Sequence, residues 1–105
     1  MSIPVLDTTL EYLNNTDLNE PFEFVTDGAP EDFTGDTIRA QLGDTPIPIL
    51  HTGPGAFQFD LDRAVMWTLK PGLYDFDIIR STTGGSDTPL LRGKIKLVQG
   101  RTPPQ

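Results

Sequence analysis

The chain is 105 residues long, carries fifteen acidic against eight basic residues for a formal charge of -7, and contains no cysteine. The charge opposes approach to phosphate backbones and anionic lipid, so neither nucleic acid nor a membrane is an expected partner, and the missing thiols exclude disulfides, thiolate nucleophiles and thiolate metal sites. This length supports one sheet-on-sheet core burying roughly 65 % of the unfolded surface, so residues 1–105 read as a single domain that needs no cofactor; the sequence shows neither a signal peptide nor a membrane span and reads as a protein made in a reducing cytoplasm.

Ten glycines and ten prolines punctuate the chain, and the runs between them alternate with period two, which predicts short antiparallel strands. The extended segment 1–7 comes first. Its apolar residues Ile3, Val5 and Leu6 precede the first convincing strand and imply an edge strand or a contact with a partner. Strands are expected at Thr8–Leu13 and Glu20–Val25, separated by a polar turn at Asn14–Thr16, with Phe22 and Phe24 facing inward. "DFTGDT" supplies a tight turn at Gly35, with Asp32 or Thr34 bonding the backbone. Strands follow at Thr37–Leu42 (Ile38, Ala40 and Leu42 inward), Ile47–His51 and Ala56–Leu61 (Phe57, Phe59 and Leu61 inward).

"DRAVMWTLKPG" is the one helix-compatible stretch, a short turn near residues 62–69 with Asp62 as its cap and Pro71-Gly72 as its end. Trp67 on this turn is expected to plug one end of the core, its indole N–H reaching a backbone carbonyl. The last two strands, Leu73–Ser81 and Pro89–Val98, form a hairpin. Placing Ile78 opposite Leu91, Phe76 opposite Gly93 and Tyr74 opposite Ile95 turns all of these inward, and sets Asp77 against Arg92 and Asp75 against Lys94 outside. A slip of one residue turns every core side chain to water. Gly93 leaves room for the Phe76 ring, and the loop tip at Gly84 and Gly85 is exposed and available to a partner. The segment 100–105 leaves the sheet at Pro103 and Pro104, which cannot donate ladder hydrogen bonds, and is expected to be disordered or laid on a neighbouring chain. Seven such strands in one domain predict an all-β sandwich or barrel.

Chemistry-bearing patterns are few. Asp60/Asp62 and Asp75/Asp77 each share a strand face, but two carboxylates do not supply the six to eight oxygens that calcium takes, and a solvated strand face does not raise a catalytic acid's pKa. His51 is the only histidine, which excludes a multi-histidine metal centre, and no G-x-S-x-G elbow is present for a nucleophile. "HTGPGAF" and "TTGGSD" lack the lysine of a phosphate loop and read as turns. No catalytic residue, metal ligand or cofactor site is assigned, and the chain is expected not to be an enzyme.

The segments "FEFVTDGAPEDFTGDTIRAQL" (22–42), "GAFQFDLDRAVMWTLKPGLYDFDIIRS" (55–81) and "LLRGKIKLVQGRT" (90–102) resemble a family of small structural proteins of tailed bacteriophages. They are also similar to the immunoglobulin-like N-terminal domain of phage baseplate upper proteins. The resemblance implies an antiparallel Ig-like β-sandwich of about seven strands, located in a virion, that assembles with other virion structural proteins in several symmetric copies. Tyr74 then corresponds to the tyrosine corner of Ig sandwiches, which ties its hydroxyl to backbone. About twenty residues precede the matched region and the chain stops soon after Thr102, so no receptor-binding domain is expected to follow. The implied role is docking on tail, baseplate, neck or capsid proteins through Ile3, Val5, Leu6, Gly84, Gly85, Pro103 and Pro104. The alternatives are a capsid decoration protein, or a small carbohydrate-binding module for which Tyr12 and Trp67 are the platform candidates.

Overall fold

A computed structural model describes residues 4–104. Its strands are β1 (Leu10–Leu13), β2 (Pro21–Glu23), β3 (Val25–Thr26), β4 (Ala29–Pro30), β5 (Thr37–Leu42), β6 (Thr45–Ile47), β7 (Ile49–Gly53), β8 (Ala56–Phe59), β9 (Gly72–Ser81) and β10 (Asp87–Val98), with helix α1 (Arg63–Thr68) between β8 and β9. Five strands form one sheet in the order β1-β10-β9-β5-β6, three form a second in the order β2-β8-β7, and β3 and β4 make a separate ribbon. The chain is therefore all-β, with two sheets arranged as a sandwich around one core.

The inward residues named by the alternation are buried or half-buried, and the core adds Leu18, Phe33, Ile47 and Met66. Phe22, Phe57, Phe59 and Phe76 meet at its centre, with the Phe59 and Phe76 rings 5.7 Å apart and edge to face, an arrangement favoured by their quadrupoles. The β9–β10 register pairs Ile78 with Leu91, Asp77 with Arg92, Phe76 with Gly93, Asp75 with Lys94 and Tyr74 with Ile95, as the two-faced pattern requires. A Cβ built on Gly93 would lie 2.7 Å from the Phe76 ring, so glycine there is a packing requirement.

Two expected strands are broken by a change of sheet. Ile47–His51 divides at Pro48, which has no N–H for a ladder: β6 ends the five-stranded sheet and β7 edges the three-stranded one. Glu20–Val25 divides at Phe24, whose N–H donates to Gly55 O (2.8 Å) and whose carbonyl accepts from Glu31 N–H (2.9 Å), while β3 turns into the ribbon. That ribbon closes on Asp27 and Gly28, both at positive φ (53° and 79°), the two-residue hairpin chemistry of an Asp-Gly pair.

The sandwich is not antiparallel throughout. β1 pairs with β10 in parallel, Leu10 opposite Ile95 through Leu13 opposite Val98. Parallel neighbours need a long connection, and here nearly the whole domain lies between them. β1 also starts at Leu10 rather than Thr8, because the chain bends at Asp7 and Thr8.

Helix α1 is capped as the sequence implies: the Asp62 carboxylate accepts from Ala64 N–H, and Asp17 accepts from Arg63 N–H at 2.8 Å. Its phase corrects the expectation for Trp67. Met66 is fully buried and Trp67 is 36 % exposed. Successive helical residues are about 100° apart, so the two cannot share one face, and the flexible thioether fills the end of the core where an indole was expected.

Candidate functional site

The residues singled out as contacts lie at three separate places. Ile3 lies outside the described residues. Val5 bridges Arg92 in parallel, Leu6 N–H donates to Arg92 O (2.8 Å), and Arg92 N–H donates to Pro4 O (3.0 Å). The N-terminal segment thus continues the sheet edge along β10, the edge-strand alternative. Leu6 packs against the core and Val5 remains 49 % exposed. A groove of about 800 Å³ opens beside this segment on the outer sheet face, lined among others by Val5, Gln41, Asp75, Asp77 and Arg92.

Gly84 and Gly85 are exposed at the tip of the β9–β10 loop, which closes with Gly85 N–H donating to Thr82 O (2.9 Å) and Thr82 N–H to Ser86 O (2.9 Å). This end of the sandwich also carries the β2–β5 connection, and Arg80 ties it down. Its guanidinium donates to Asp36 (2.6 Å) and to Asp32 O (2.7 Å), approaches Glu31 at 3.5 Å and lies 4.9 Å above the Phe33 ring. Asp32 itself accepts from Thr34 N–H (3.0 Å), and Asp36 N–H donates to Phe33 O, so the turn forms where "DFTGDT" placed it. Hydrogen bonds from the Thr34 side chain and backbone, with the nearby Arg80 charge, hold the Asp32 carboxyl below its ordinary range.

The opposite end holds the C-terminal segment. Buried Asn14 accepts from Gly100 N–H (2.8 Å) and donates to Leu69 O (3.3 Å), and Asn15 donates to Thr102 O (2.8 Å). The segment expected to be disordered or laid on a neighbour is instead fastened to its own domain. Pro103 and Pro104 line a shallow pocket with Asp62, Arg63, Ala64 and Trp67. Twelve-residue β10 separates this end from the Gly84–Gly85 end, about 40 Å at the usual strand rise, so one compact ligand cannot touch both.

Several of the remaining polar groups are engaged within the fold. Lys94 donates to Asp75 (2.6 Å), whereas Asp77 and Arg92 sit opposite one another without an ion pair among the described residues. Tyr74 donates to Lys70 O (2.6 Å), tying β9 to the end of α1. Tyr12 is half-buried and donates to Glu20, and burial together with this carboxylate raises its pKa. His51 is exposed on β7, edge-on to the Phe57 ring. Sequence reading missed Asn14, Arg80 and the exposure of Trp67. For the first two, the signal exists only in three dimensions: Asn14 and Gly100 are 86 residues apart.

No protein-family model matches the chain, and no curated protein matches it as a relative.

Proposed function

We propose that this chain is a non-enzymatic structural module of a tailed-bacteriophage virion, an Ig-like domain that docks on other virion proteins. The strand order supports the Ig-like reading: three strands face five, a short helix sits at the corner between β8 and β9, and Tyr74 ties back to Lys70 across it. One observation carries the functional reading. The motifs that resemble those of phage structural proteins form the Phe33–Asp36 turn, the α1 corner and the β9–β10 register, so they specify a scaffold, while Val5, Gly84, Gly85 and Pro103 remain exposed around it.

The carbohydrate-binding alternative is favoured by Trp67 alone, which shares its pocket with Pro103 and Pro104. Tyr12 does not add a second platform, since its ring packs against the core.

The test uses particles assembled with Val5→Asp, Gly84→Glu or Pro103→Glu chains. Each substitution changes an exposed position and leaves the melting temperature near that of the parent. Reduced occupancy in at least one variant is the expected result; full occupancy with the triple variant would remove all three surfaces from consideration.

A further inference from the structure

Two pieces of chain that are not one strand cover the outer edge of β10. β1 pairs with residues 95–98 and segment 4–6 pairs at Arg92, and between them the chain bends away at Asp7 and Thr8. Asp7, Thr8 and Thr9 are exposed and make no hydrogen bond among the described residues. The two pieces are held differently. In β1, Leu10 and Tyr12 both pack against the core and Tyr12 donates to Glu20, whereas segment 4–6 is held by two backbone hydrogen bonds, both to Arg92, and by half-buried Leu6. A segment with so few buried contacts opens at a lower free energy than the sandwich behind it.

The surface beneath the segment is preformed. A Cβ built on Gly93 would lie 3.1 Å from the Leu6 Cβ as well as 2.7 Å from the Phe76 ring. The absent side chain at position 93 therefore leaves a notch between Phe76 and Leu6. Successive side chains of an extended segment point to opposite faces, and Val5 lines the groove of about 800 Å³ while remaining 49 % exposed, so much of that space stays open.

We propose that segment 4–6 is a detachable strap, which closes the β10 edge in the isolated chain and yields it to an extended, apolar segment of a partner polypeptide. The incoming segment pairs parallel to β10 through the same two Arg92 hydrogen bonds. The strap itself shows what the edge takes: a side chain of leucine size at the Gly93 notch and an uncharged neighbour over the groove. A partner displaces the strap only by binding this edge better than the strap does. The space beside Val5 supplies that difference, because a larger apolar residue there buries surface that valine leaves exposed. The chain's charge of -7 disfavours an acidic segment. Closed, the strap is an autoinhibitory contact that keeps a sheet edge from pairing indiscriminately, and this does not depend on the virion reading.

The test is native-state hydrogen exchange on the full ¹⁵N-labelled chain, followed by titration with a peptide that copies residues 4–9 with Val5→Phe. The Leu6 and Arg92 amides, which make the two strap bonds, are expected to exchange roughly 100-fold faster than the Ile78 amide of β9, the middle strand of its sheet, at a rate that low denaturant leaves unchanged. The peptide sees only the open fraction of the chain. Its apparent affinity for a Leu6→Ser chain, whose strap has lost its anchor, is therefore expected to be roughly tenfold higher than for the parent, with the Arg92 amide slowing on binding. Continued protection of the Ile78 amide in that variant shows the sandwich intact. Leu6 and Arg92 amides that exchange only together with Ile78 in the parent chain would overturn the proposal, as would a peptide that leaves the Arg92 amide of the Leu6→Ser chain unchanged.

Discussion

At the residue scale, steric fit and long-range polar contacts have opposite legibility. Gly93 facing Phe76 follows from period-two alternation on two neighbouring strands, and the close approach of a built Cβ to the ring makes it a sharp test. Gly93→Ala is expected to destabilise by about 1–3 kcal/mol through overpacking, and Phe76→Ala by about 3–5 kcal/mol through the cavity it leaves, both read from denaturant melts. Asn14 is different. Its partners Leu69 and Gly100 lie on distant parts of the chain, so nothing local marks it as more than a turn residue. Asn14→Ala leaves a buried Gly100 N–H without its acceptor and is expected to cost about 1–3 kcal/mol. Asp32 sets a pH dependence whose sign follows from its depressed pKa. The folded state favours the carboxylate, so the contribution is complete above the unfolded carboxyl pKa and is lost as pH falls through the lower folded value. Acid titration followed at the Thr34 amide is expected to show the 31–36 turn loosening in that window, and Asp32→Asn to remove the dependence.

At the element scale, the hairpin register was legible because two faces had to be satisfied at once. The charge pairs on its outer face are secondary: Asp75 and Lys94 close to 2.6 Å but are largely solvent-exposed, and such pairs contribute about 0–1 kcal/mol. Replacing Asp75, Asp77, Arg92 and Lys94 together with threonine is therefore expected to cost no more than about 2 kcal/mol, with the register intact by backbone NMR. Where single strands were expected and two were found, the missing information was which sheet each half joins. Pro48 marks such a crossing, yet a proline also fits an ordinary strand end, so sequence alone does not separate the two cases. The Trp67 reversal has the same origin: the cap at Asp62 was readable, but the phase of a six-residue helix depends on the surface beneath it.

At the scale of the whole molecule, the termini are parts of the fold as well as candidate contacts. Removing residues 1–6 discards the two backbone hydrogen bonds to Arg92 and the packing of Leu6, and is expected to lower the melting temperature by on the order of 10 °C. Exposed substitutions such as Val5→Asp therefore report on docking more cleanly than truncations. The architecture was legible from punctuation and alternation, while the surface a partner uses was not, because exposure alone does not distinguish a contact from a solvated loop. The central claim is that this scaffold serves assembly in a virion. Reconstruction of purified particles at a resolution that resolves strands tests it most directly. The expected result is the two-sheet domain in symmetric copies, touching other structural proteins through the Val5 edge, the Gly84–Gly85 loop or the Pro103–Pro104 end. Purified particles that lack the chain altogether would contradict it.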